Sequence, residues 1–125
     1  MVHMSSTRIS AGASNVRALT DFVSSLRRND ARGADAALAE IKLKANEFGR
    51  GYRKALLGMR TAFFDKNVDS LIFKFIEGQV PTKHRKEILR EFREKRNSPL
   101  ATDSEKGFFS AWRDVLRILE ATKKF

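Results

Sequence analysis

An all-α domain is the fold class this sequence predicts, and three observations carry it. Pro occurs only twice and Gly seven times in 125 residues. Ala, Leu, Arg, Lys and Glu dominate over β-branched residues, a composition that favours helix wherever apolar residues repeat. The apolar residues do repeat, at three- and four-residue steps in several separate stretches, and 42% hydrophobic content suffices for one core. The expected architecture is a bundle of about five helices, one of them long and pairing in a dimer.

Residues 1–14 are polar and rich in Ser, Ala and Gly without periodicity, which predicts a mobile arm ahead of a single helical domain over 15–125. Val16, Leu19, Phe22, Val23 and Leu26 then mark a first short helix, ending in cations at Arg27 and Arg28 that suit a helix C-terminus. From Ala34 to Phe64 the series Leu38, Ile41, Ala45, Phe48, Tyr52, Ala55, Met59 and Ala62 keeps the three-and-four alternation unbroken. Such a run predicts a long helix with a partner along its whole length, either the rest of the bundle or a second copy. Gly49, Gly51 and Gly58 each weaken a helix by about 1 kcal/mol relative to Ala, so any break is expected near Gly49.

After Asp65, read as a cap, the segment Val68, Leu71, Ile72, Phe73, Phe75 and Ile76 is apolar on almost every side and predicts the most buried helix. Gly78 is its expected stop, and Thr82 the expected cap of a fourth, surface helix to Arg96 whose apolar face is only Ile88, Leu89 and Phe92. Pro99 closes that helix. Thr102 with Glu105 three residues later then forms a capping-box pattern, opening a last helix to about Lys123 with the stripe Phe108, Phe109, Trp112, Val115, Leu116 and Leu119.

Charge points to a class of partner. The net charge is +10, and Arg outnumbers Lys by fourteen to eleven, which favours bidentate contact with phosphate oxygens. Residues 82–97 alone carry seven cations against three carboxylates, a net +4, whereas the apolar segment 67–81 is net −1. On the long helix Lys42, Arg50, Arg53, Lys54 and Arg60 fall opposite the apolar seam, with Arg53 and Arg60 about 10 Å apart along a straight axis. Arg85, Lys86, Arg90 and Arg93 extend the candidate phosphate-binding set onto the surface helix. No zinc-finger spacing, RNA-binding sheet motif or clear helix-turn-helix is present, so sequence-independent reading of backbone shape, above all of double-stranded RNA, is the expected mode.

Residues 34–97 add a resemblance. Tyr52-Arg53-Lys54-Ala55-Leu56 leading to Arg60, then Phe75-Ile76-Glu77-Gly78-Gln79-Val80-Pro81 and the stretch Lys86-Glu87-Ile88-Leu89-Arg90, resemble the nodavirus family of RNA-silencing suppressors. That resemblance implies a viral all-helical homodimer that lies along duplex RNA and shields it from dicing. In the family a Lys and an Arg seven apart on the long helix contact RNA, and Arg53 and Arg60 have that spacing here.

Other chemistries find little to stand on. There is no Cys, hence no thiol nucleophile, disulfide or thiolate metal site. His84 lies among Lys83, Arg85 and Lys86, a setting that suits a surface histidine better than a metal ligand. Glu87, Glu91 and Glu94 stand at ion-pair spacing beside cations, and no phosphate loop or nucleophile elbow occurs. The expectation is therefore a non-enzyme without cofactor, metal or small-molecule substrate. With no apolar run long enough for a membrane span or signal peptide, it is expected in the cytoplasm or nucleus. Two other roles fit the same composition: a helical protein-protein adaptor, and a basic component of a ribonucleoprotein or chromatin particle.

Overall fold

The computed structural model describes residues 15–122, so the expected arm lies outside the described residues. These residues form six helices and no strand: α1 (Val16–Arg27), α2 (Ala31–Glu40), α3 (Glu47–Phe64), α4 (Leu71–Ile76), α5 (Thr82–Asn97) and α6 (Asp103–Ala121). The helical bundle expected from composition is present. α3 and α6 are its central pair, α1 packs on α2 and α6, and α5 lies along α6.

The central pair is possible because its contact is lined with small residues. A Cβ on Gly51 would enter the Ser104 carbonyl, lying 2.7 Å from its carbon, and one on Gly107 would lie 2.8 Å from the Phe48 carbonyl carbon. Each helix thus uses a glycine to let the other's backbone come close, which sets the separation of α3 and α6. The glycines do not break the helix: Gly49, Gly51 and Gly58 all lie inside α3. Gly58 has no atom near its missing Cβ. We therefore expect Gly58→Ala to raise stability by about 0.5–1 kcal/mol in urea denaturation, through helix propensity alone.

The expected long helix from Ala34 to Phe64 is two helices, broken at residues 41–46 rather than at Gly49. Two polar contacts explain the break. Asn15 grips the backbone of Lys42 from 27 residues away, its Oδ1 accepting from the Lys42 amide at 2.9 Å and its Nδ2 donating to the Lys42 carbonyl at 2.8 Å. Asn46, in an extended conformation, accepts from the Gly49 amide at 2.8 Å and caps a new helix. The apolar alternation survives because Leu38, Ile41, Tyr52, Ala55 and Met59 all enter the same core from either side of the linker. Ala45 alone of the middle positions is left exposed. Most of the seam is thus covered by the chain's own helices.

The ends of the other helices follow the local sequence closely, with three corrections. Asp65 ends α3 instead of starting the next helix, and Ser70 caps α4 through the Phe73 amide at 3.3 Å. α4 is only six residues long and buries just Ile72 and Phe75, while Val68 stands 55% exposed, so it is not the most buried helix. α6 and α1 hold that place, with Leu19, Phe22, Leu26, Val115, Leu116 and Ile118 almost wholly covered. Pro81, not Thr82, is the N-cap of α5. The Thr102–Glu105 capping box opens α6 as expected, and Gly78 ends the α4 turn with φ +71°.

α5 buries no residue completely, as expected of a surface helix. It rests on α6 through Ile88, Leu89 and Phe92, with the Phe92 ring 5.8 Å from Phe109 and 5.7 Å from Trp112. At the other end of the bundle, Arg27 of α1 donates to the Leu119 carbonyl at 3.1 Å and to Thr122 at 2.8 and 3.0 Å, capping the α6 C-terminus.

Candidate nucleic-acid interface

The sequence-predicted cations divide sharply once the chain is folded. Lys42 stands exposed on the linker and Lys54 on α3. Arg50, equally exposed, pairs with Glu47 one turn away at 2.6 Å. Arg53 is half-buried and donates to the Ile41 carbonyl at 3.1 Å, satisfying a linker acceptor that the broken helix leaves open. Arg60 forks onto Asp35 of α2, Nε to Oδ1 at 2.7 Å and Nη2 to Oδ2 at 3.0 Å, and its guanidinium also sits 5.4 Å from the Phe64 ring centre. Its hydrogen bond holds the Asp35 carboxyl below its ordinary range. Two of the residues meant to lie along phosphates are thus engaged within the fold. Lys44, Arg50, Arg53 and Lys54 instead rim a cleft of about 430 Å³ floored by Leu43 and Leu57.

Arg85 is likewise a strut. Its Nη1 donates to the Val80 carbonyl at 2.6 Å, its Nη2 to Thr82 at 2.8 Å, and its Nε lies 2.6 Å from Glu120 of α6 in an ion pair without hydrogen-bond geometry. Only 15% of that side chain is exposed, so it fastens the start of α5 to the end of α6. Lys86, Arg90 and Arg93 do remain exposed on α5.

At 100° per residue, Lys86, Arg90, Arg93 and Arg96 of α5 fall within a sector of about 120°. Glu87, Glu91 and Glu94 fall within about 60°, between Lys83 and Lys95, and line one hollow with Arg90. α6 carries a matching row: Lys106, Ser110, Arg113 and Arg117 follow at steps of four, three and four, hence on one face. The two rows meet. Burial, and then the positive charges of Arg117, Arg96 and Arg93, push Arg113 below the ordinary guanidinium range, against the opposing pull of the Asp114 carboxylate. That carboxylate is itself fully buried and accepts from the Tyr52 hydroxyl at 2.6 Å.

This arginine meeting of α5 and α6 was not legible as a site. Arg113 and Arg117 show in the sequence only as polar positions beside an apolar stripe, and the last 28 residues carry a net charge of just +1. Their carboxylates hide the row: Asp103 and Glu105 serve the α6 N-terminus, Asp114 the core and Glu120 the Arg85 strut. Phe108, Phe109 and Trp112, expected in the apolar stripe of the last helix, are half-buried, and Phe109 and Trp112 meet Phe92 of α5.

Among the described residues no group of His, Asp and Glu could hold a metal ion, and no helix is long and apolar enough to cross a membrane. The chain matches no family model, and no curated protein or solved structure shows significant similarity to it.

Proposed function

We propose that the protein binds nucleic acid through its phosphate backbone, without reading sequence, along the cationic groove between α5 and α6. One observation carries the reading: Arg93 and Arg96 of α5 and Arg117 of α6 all act on Arg113, with Asp114 the one carboxylate that acts on it among the described residues. Like charges gathered in this way are unfavourable in the free protein and become favourable beside a polyanion. The whole-chain charge of +10 supports it. Duplex RNA is the preferred form, because the likeness of residues 34–97 to silencing suppressors points there and a groove between two helices suits recognition by shape. The role is then shielding of RNA in the cytoplasm, without catalysis. The contacts move from Arg53 and Arg60 to the α5–α6 face, and any dimer must use a surface other than the covered part of the seam.

Fluorescence anisotropy with a 20-base-pair-scale RNA duplex over a salt series tests this directly. Each phosphate contact contributes about 0.9 to the slope of log affinity against log salt for a duplex. Arg113→Ala/Arg117→Ala is expected to flatten that slope by nearly two units, and Arg53→Ala/Arg60→Ala to leave it nearly unchanged. No binding at near-physiological salt, or the opposite ranking of the two variants, would remove the proposal. An adaptor that docks an acidic protein in the Leu43–Leu57 cleft predicts the first of those failures.

A further inference from the structure

One polar group in the core is unexplained by the fold. Ser110 is 1% exposed, and its Oγ has no hydrogen-bond partner among the described residues. A hydroxyl inside a helix ordinarily donates to the carbonyl four residues back, as Thr20 does to Val16 and Thr122 to Ile118, each at 2.7 Å. Ser110 makes no such bond. If α6 needed only a small residue where it passes α3, Ala would give the same packing without an orphaned polar atom.

Ser110 lines a cavity of about 380 Å³ together with Phe48, Arg96, Asn97 and Lys106. Arg96 and Lys106 bring two positive charges from two helices. The Asn97 side-chain oxygen accepts from Arg96 Nε at 3.3 Å, which orients the guanidinium and turns the amide's own donors elsewhere. Phe48 supplies an apolar wall that keeps water off one side and strengthens charge-assisted hydrogen bonds within. Two half-buried cations, an exposed amide and a buried hydroxyl, with no carboxylate among the described lining residues, make a set that fits a tetrahedral oxyanion.

We infer that this cavity is a seat for one phosphate group, with Ser110 donating its hydroxyl to a phosphate oxygen and Arg96 and Lys106 neutralising the charge. The inference deepens the nucleic-acid reading and rests on it only for the larger ligand to which the phosphate belongs. The same chemistry comes from inorganic phosphate, from a phosphomonoester at a strand end or from an internal phosphodiester.

Titration of the whole protein with inorganic phosphate, followed by amide NMR, is the test. The amides around Arg96–Asn97 and Lys106–Ser110 are expected to shift and saturate. Ser110→Ala, which keeps the packing and removes the orphaned atom, is expected to hold or raise the thermal midpoint and to weaken phosphate binding about tenfold. Absent or unsaturable shifts, or equal affinity in Ser110→Ala, would overturn the seat. A second arm compares RNA duplexes with and without a 5′-phosphate. A preference of the native protein for the phosphorylated duplex that Ser110→Ala loses assigns the seat to strand ends. Equal binding of both, weakened by Ser110→Ala, assigns it to the internal backbone. The two ideas fail separately: duplex binding without phosphate-induced shifts sinks the seat alone, and saturable shifts without duplex binding sink the proposed function alone.

Discussion

Gly51→Ala is expected to destabilise the protein by about 3 kcal/mol, although the same exchange elsewhere in a helix is favourable. The added methyl would meet the carbonyl of Ser104, with the Ser104 Cα at 3.0 Å, and backbone cannot turn aside as a flexible side chain can. α3 and α6 would have to separate along their whole contact, loosening Tyr52, Ala55 and Met59 together. Urea denaturation measures the effect, and Gly58→Ala on the open side of the same helix serves as its control, moving the midpoint in the opposite direction. Equal midpoints for Gly51→Ala and the native protein would mean that the close approach of the helices is wrong.

Tyr52→Phe is expected to cost about 2–3 kcal/mol at neutral pH, because the variant keeps the ring's packing and withdraws one donor from a buried carboxylate. Tyr52 and Asp114 are both 0% exposed, with 2.6 Å between the oxygens. Burial first, and the Asp114 charge second, push the Tyr52 hydroxyl far above its ordinary value. The sign of the pH dependence follows. In the unfolded chain tyrosine ionises near pH 10, while in the folded protein Tyr52 stays protonated, so its contribution is full below pH 10 and declines above it by about 1.4 kcal/mol per pH unit. The gap in stability between native protein and Tyr52→Phe should therefore narrow as pH is raised from 9 to 11. A gap that stays constant over that interval would contradict a buried, protonated Tyr52.

Local sequence signals were sufficient where local physics decides. The limits of α1 and the capping box of α6 are set by periodicity and by residues within one turn of each end, and both could be read directly. The break after α2 depends on Asn15, whose partner lies 27 residues on, and no window along the chain contains both. Asn46, the N-cap ahead of the acidic first turn of α3, is a local feature that a reading built on the continuous apolar alternation does not use. Arg53 and Arg60 are drawn into contacts within the fold for a related reason. Their seven-residue spacing was correct on α3, but Asp35 reaches Arg60 from 25 residues away and the open carbonyl of Ile41 draws Arg53. Conversely, Arg113 and Arg117 join Arg93 and Arg96 in one cationic cluster only when α5 folds back onto α6.

The thin anchoring of α5 has a consequence for motion. A helix with no fully covered side chain, held by three half-buried apolar residues and one ionic strut, can detach in a local opening that leaves the tightly packed α1, α3 and α6 intact. A ligand spanning both helices would couple this loosest unit to the stiffest, so occupancy would register as slowed amide hydrogen exchange in a segment that otherwise opens independently of global unfolding.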